Sequence, residues 1–129
     1  MSYILVAEDD PMVQRILVRM IKRSGYLGEV LVGNDAFEAI QLAQDHQSQT
    51  IDLIFVDTGL YPQGDQAFFD ALKAICANTP ILVSSGYGED IIRTVHYFGD
   101  KPISGVLSKP FGMAEVKDVL TQFQLVPTV

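Results

Sequence analysis

Leu53-Ile54-Phe55-Val56-Asp57 is the stretch that decides the fold. Four apolar residues in a row, two of them β-branched, are closed by a carboxylate. Such a run reads as a strand buried on both faces of a sheet. A second run of the same kind, Tyr3-Ile4-Leu5-Val6-Ala7, ends in Glu8-Asp9-Asp10. Two strands that both end in carboxylates bring negative charge to one edge. Two like charges about 4 Å apart repel by roughly 4 kcal/mol at an effective dielectric near 20. A fold tolerates this where something positive sits among them. A divalent cation and Lys109 are the natural candidates.

Working outward, short apolar runs alternate with longer amphipathic stretches. The strand candidates are 3–7, 29–33, 53–57, 81–84 and 103–107; the more polar 29–33 reads as an edge strand. Val13, Ile16, Leu17, Met20 and Ile21 recur at helical spacing. Asp10 is the expected N-cap of that helix, Pro11 its first residue and Gly25 its stop. A second helix follows Asn34-Asp35 and carries Ala36, Ala39, Ile40 and Ala43. Phe68, Leu72 and Ile75 mark a third, Ile91, Ile92, Val95 and Phe98 a fourth, and Val116, Val119, Leu120 and Phe123 a fifth.

Strand and helix in fivefold alternation predict an α/β fold: a doubly wound, five-stranded parallel sheet between two helical layers. The expected strand order is 2-1-3-4-5. Ligands of such sheets bind at the carboxyl ends, beside the reversal between strands 1 and 3. Those are the strands that end in Glu8-Asp9 and Asp57. Ser84 and Ser85 at the end of strand 4, and Lys109 after strand 5, belong to the same edge. Carboxylates bind Mg²⁺, an aspartate can attack phosphorus, and a lysine and a hydroxyl offset charge on phosphoryl oxygens. The set therefore suits phosphoryl chemistry on Asp57.

Composition narrows the classes. The 129 residues suit one domain, and 48% of them are hydrophobic. Nine basic residues against 16 acidic ones give a net charge of −7, which argues against nucleic acid or an anionic membrane as a direct partner. One cysteine, Cys76, permits neither an intrachain disulfide nor a Cys-based metal site, and reads as a small core hydrophobe. With no basic-then-apolar leader and no run near 20 apolar residues, a cytoplasmic location is expected. His46 reads as solvated and His96 as a rim residue. The domain is expected over 1–125, with 126–129 a frayed tail.

The constellation resembles the receiver domain of bacterial response regulators, over about residues 2 to 124. The resemblance rests on Ile4-Leu5-Val6-Ala7-Glu8-Asp9-Asp10-Pro11, Phe55-Val56-Asp57, Pro80-Ile81-Leu82-Val83-Ser84-Ser85-Gly86 and Leu107-Ser108-Lys109-Pro110-Phe111, in this order and spacing. It implies a flavodoxin-like fold and a chain that is a switch, not a turnover enzyme. Asp57 would accept a phosphoryl group from a histidine kinase or a histidine phosphotransfer protein. Mg²⁺ would be held by Asp9 directly, by Glu8 through water, by Asp57 and by the Gly59 carbonyl. Ser85 and Lys109 would follow the phosphoryl oxygens, and Lys109-Pro110 would be cis. A downstream protein would meet the face of helix 4, strand 5 and helix 5, as a monomer or a phosphorylation-dependent dimer.

The sequence departs from the family pattern at Val106, where Tyr or Phe is usual, and at Tyr61-Pro62, where the proline comes one residue late. Gly59 and Tyr87 occupy variable positions and lean towards a longer-lived phosphoryl group. A haloacid-dehalogenase-type enzyme needs a second Asp at the position of Gly59. A flavin-binding protein needs a phosphate loop where Glu8-Asp9-Asp10 would repel phosphate. A degenerate receiver serving as an interaction module is the remaining alternative; Val106 supports it, and the intact Asp9, Asp57, Ser85 and Lys109 oppose it.

Overall fold

A computed structural model describes residues 1–57, 60, 66–85 and 105–127, apart from the side chains of 66, 69 and 85. Five parallel strands form one sheet: β1 (Ser2–Ala7), β2 (Glu29–Gly33), β3 (Thr50–Asp57), β4 (Ile81–Ser85) and β5 (Gly105–Ser108). Their order is β2-β1-β3-β4-β5, as expected, with β2 at an edge. The helices among the described residues are α1 (Pro11–Arg23), α2 (Ala36–Asp45), α3 (Gln66–Ile75) and the C-terminal helix (Met113–Gln122). The fourth helix expected from Ile91 to Phe98, with His96, lies outside the described residues, as do 103–104 of the last strand.

Alternation along the strands builds two cores. Ile4, Val6, Leu53, Phe55 and Leu82 point to one face, where Leu17 and Ile21 of α1 and Val116 and Leu120 of the C-terminal helix cover them. Leu5, Ala7, Ile54, Val56, Ile81 and Val83 point to the other, under Ala39 and Ala43 of α2 and Phe68 and Leu72 of α3. Strands sandwiched in this way need apolar residues at every position, which is why the runs lack polar alternation. Cys76 is buried in the second core, as a small hydrophobe.

Local signals set the helix ends. Asp10 caps α1, its side chain accepting from the Met12 amide at 2.9 Å, and Pro11 opens the helix. Gly25, just beyond the Ser24 cap, has φ +104°, a conformation that favours glycine. Asp35 caps α2 by accepting from the Glu38 amide at 2.7 Å.

The structure corrects three expectations. Strand β3 begins at Thr50, not 53. Tyr3 pairs with Ile51 and Ile4 with Leu53, so Asp52 is an extra residue at a register shift. Its carboxylate accepts from the Tyr26 hydroxyl at 2.8 Å, which satisfies a polar side chain inside a strand. Val126, expected in a frayed tail, is buried in the α1-side core. The C-terminal helix is closed by Gln124 at φ 59°, with the Leu125 amide donating to the Leu120 carbonyl at 2.9 Å, and this turn sends the chain back over the core. His46, expected in solvent, is half-buried; its ring meets Tyr3 edge-on at 4.7 Å and its Nδ1 lies 2.8 Å from the Leu42 carbonyl oxygen.

Gly33 ends β2 under α2. A Cβ there would lie 2.8 Å from both Cα and N of Ala39, backbone atoms that cannot move alone. Gly33→Ala is therefore expected to destabilise the chain by about 1–3 kcal/mol. Urea unfolding measures this, and an unchanged midpoint would show that α2 slides freely over the sheet.

Candidate functional site

Register assembles the site. Ala7 pairs with Val56, so Glu8 and Asp57 leave β1 and β3 abreast. Asp57 pairs with Ser84 across β3 and β4, and Ser85 with Ser108 across β4 and β5. Lys109 follows Ser108 directly, and the Lys109-Pro110 bond is cis. Four strand ends thus place residues from distant parts of the chain at one point.

The lysine closes the group. Its Nζ donates to Asp57 Oδ1 at 2.8 Å and to Glu8 Oε1 at 3.0 Å. Glu8 and Asp57 are both buried, at 3% and 7% exposure, whereas Asp9 is exposed. Ser84 is also buried. The other Glu8 oxygen, Oε2, accepts from the Asp10 amide at 3.1 Å.

Electrostatics follow from burial. Desolvation pushes the Glu8 carboxyl above its usual range, and the neighbouring Asp57 charge adds to it. The Asp10 amide and Lys109 oppose the rise without cancelling it. For Lys109 the balance goes the other way. Burial lowers its pKa, but hydrogen bonds to Asp57 and Glu8 outweigh burial and leave it raised. The ammonium is therefore charged at neutral pH.

One carboxylate oxygen from each of Glu8, Asp9 and Asp57 lies within 4.8 Å of the others. Opposite ligands of an octahedral Mg²⁺, each at 2.0–2.1 Å, stand roughly 4.2 Å apart. Three hard oxygen donors in this space fit one such ion, with a water completing the reach of one of them. The donor set contains no sulfur or imidazole, so it favours a hard cation.

The structure thus brings together Glu8, Asp9, Asp57 and Lys109, and leaves Asp10 to cap α1. The Ser85 backbone ends β4 at the site. The Ser85 side chain, Gly59, the loop through Tyr61 and Pro62, and Tyr87 lie outside the described residues. Val106 is half-buried in β5, paired with Val83. Sequence reasoning passed over Gln14, whose side-chain amide donates to the Glu8 carbonyl and, at 2.7 Å, to Asn34 Oδ1. A polar residue four positions after an N-cap gives no pattern that singles it out.

Comparison with known proteins agrees with this geometry. The family model described as the response regulator receiver domain matches residues 4–121. The chain belongs to the response regulator receiver family. It is 25% identical over 122 residues to a probable C4-dicarboxylate response regulator of Priestia megaterium, covering 94% of this chain and 51% of that one. This receiver therefore spans about half the length of that curated relative. It shares its fold with a receiver domain protein of Clostridium thermocellum, at a TM-score of 0.79 and 15% identity, over 95% of this chain and 94% of the other. It also shares it with a chemotaxis response regulator of Vibrio cholerae, at 0.77 and 22%, over 95% and 98%. Receivers are phospho-accepting switches that work with histidine kinases or phosphotransfer proteins and typically bind Mg²⁺ at an acidic pocket. This receiver has its acidic cluster at the carboxyl edge. No helix among its described residues is long and apolar enough to cross a membrane.

The raised Glu8 value has a signed consequence. The folded state holds that proton more tightly than the unfolded one, so Glu8 lowers stability as pH rises from the ordinary carboxylate range through the raised value. Glu8→Gln removes this slope. In chelator, the stability of the variant minus that of the wild type should grow with pH across that window. Urea midpoints at stepped pH measure it, and a flat or falling difference contradicts the assignment.

Proposed function

We propose that this receiver takes one phosphoryl group on Asp57 from a histidine kinase or a histidine phosphotransfer protein. The observation that carries the reading is the Lys109 ammonium, 2.8 Å from Asp57 Oδ1 and 3.0 Å from Glu8 Oε1, beside a three-carboxylate cluster. An Asp57 oxygen forms the new bond to phosphorus. The bond from phosphorus to the donor's imidazole nitrogen breaks, and its electron pair leaves with the imidazole. Lys109 then shifts from the Asp57 carboxylate to a phosphoryl oxygen, and the Ser85 hydroxyl donates to another.

Asp9, Asp57, the Gly59 carbonyl and, through water, Glu8 would hold Mg²⁺. Bound there, the ion offsets the charge of the phosphoryl oxygens. The same residues serve hydrolysis, so the chain catalyses its own phosphorylation and dephosphorylation and no other turnover. The receiver unit covers residues 1–125 and extends to Val126, which packs into its core. A cytoplasmic location suits its partners. Output goes through protein contacts at the face of helix 4, strand 5 and helix 5, as a monomer or a phosphorylation-dependent dimer. Val106 is short and stiff where the family has an aromatic, so the switch at this face is smaller and is led by Ser85.

Intact-mass measurement with Mg²⁺ and a small acyl-phosphate donor tests the acceptor. One alkali-labile phosphoryl group should appear and be lost in Asp57→Asn. A phosphoryl group that persists in Asp57→Asn, or a wild type unmodified by any of several donors, overturns the reading.

The metal is tested separately. Clustered carboxylates repel one another in the ion-free chain, and an ion bound only by the native state stabilises it. Asp9→Asn is expected to melt higher than the wild type in chelator and to gain less from Mg²⁺. Equal gains in the two chains would rule out Asp9 as a ligand.

A further inference from the structure

We infer that Gln14 is a positioning residue for the metal-binding loop, fastening the Glu8–Asp9 peptide to the turn between β2 and α2. This rests on the reading of Glu8, Asp9 and Asp57 as a cation site.

The loop is held unevenly. The Glu8 amide donates to the Gly33 carbonyl at 3.1 Å, and the Glu8 carboxylate is fixed by Lys109 and by the Asp10 amide. Asp10 is fixed by capping α1. Asp9, between them, is exposed and makes no side-chain hydrogen bond among the described residues. Its carboxylate is placed only by the backbone on either side. The peptide that enters Asp9 carries the Glu8 carbonyl, and the group that holds this carbonyl is Gln14 Nε2.

Gln14 is itself anchored. The same nitrogen donates to Asn34 Oδ1 at 2.7 Å, so both amide hydrogens are used. Asn34 in turn donates to Glu38 Oε1 from Nδ2 at 2.9 Å and from its backbone amide at 3.1 Å. The chain of contacts runs from the acidic loop, through α1, to the first turn of α2. It crosses the edge of the sheet, where no strand lies beyond β2 among the described residues. A donor is needed at position 14; an apolar side chain of the same length would leave the Glu8 carbonyl free to rotate. Freezing one backbone residue is enough to move an equilibrium about tenfold.

The test uses the full chain, with Mg²⁺ as the probe. Gln14→Met keeps length and removes both donors. It is expected to weaken Mg²⁺ binding, measured by calorimetry, about five- to tenfold. In chelator, exchange of the Asp10 amide, which donates to Glu8 Oε2, should speed up about tenfold while the core amides keep their protection. Phosphorylation by a small acyl-phosphate donor should need more Mg²⁺ but reach the wild-type rate at saturation. Asn34→Ala keeps the bond to Glu8 and loses its anchor, so a two- to threefold loss is expected, and the double variant should be no worse than Gln14→Met alone. Should Gln14→Met fold poorly, Asn34→Ala carries the test. Wild-type affinity in Gln14→Met with normal loop exchange overturns this inference alone, as does a rate loss that saturating Mg²⁺ does not restore. A wild-type chain that binds no Mg²⁺ overturns this inference and the cation site together.

Discussion

The Lys109 ammonium shared between Glu8 and Asp57 is the contact on which the rest of the site depends. At an effective dielectric near 20, a charge pair about 3 Å apart attracts by roughly 5–6 kcal/mol before desolvation is counted. Two carboxylates about 4 Å apart repel by roughly 4 kcal/mol. One lysine in contact with both therefore reverses the sign of the interaction at the sheet edge. Without it, two buried carboxylates would face each other with no cation between them, an arrangement that costs several kcal/mol. The lysine comes from residue 109 and the acids from residues 8 and 57, so only a folded sheet brings them together.

The sheet order gives that contact its place. Because β1 and β3 are neighbours and the chain turns outward from them to β2 on one side and β4 and β5 on the other, the reversal of strand order falls at this point, where ligands of such sheets bind. Register does the fine placement: Ala7 opposite Val56, then Asp57 opposite Ser84 and Ser85 opposite Ser108. A slip of one residue would reverse every core side chain on that strand, so the apolar alternation of the two cores also fixes the site.

Much of this was legible in the sequence because it depends on runs and strand ends. Strand-end carboxylates at Glu8 and Asp57, the Asp10-Pro11 helix start and the lysine after the last strand are local patterns, and topology did the rest. What escaped depends on single partners distant in the chain. Asp52 looks like a break before Leu53, yet the hydroxyl of Tyr26 lets it sit within β3. Val126 looks like tail because the helix stop is Gln124, not a glycine. Gln14 looks like any exposed helix residue until Asn34 and the Glu8 carbonyl are placed beside it.

The three acids divide the work by how firmly they are held. Glu8 has partners for its amide, its carbonyl and both carboxylate oxygens, and it is buried. It holds the Lys109 ammonium at 3.0 Å. Asp57 shares that lysine and stands at the end of the central strand, opposite Ser84. Asp9 is exposed and its side chain is untethered among the described residues, which on the proposed reading leaves it available to a cation. Among the described residues, one lysine against the carboxylates of Glu8, Asp9 and Asp57 leaves this cluster negative. On the proposed reading, that residual charge favours a cation and opposes an anionic phosphoryl donor at Asp57 until it is offset. On that reading the charge of the site would set the order: the cation first, the phosphoryl group second.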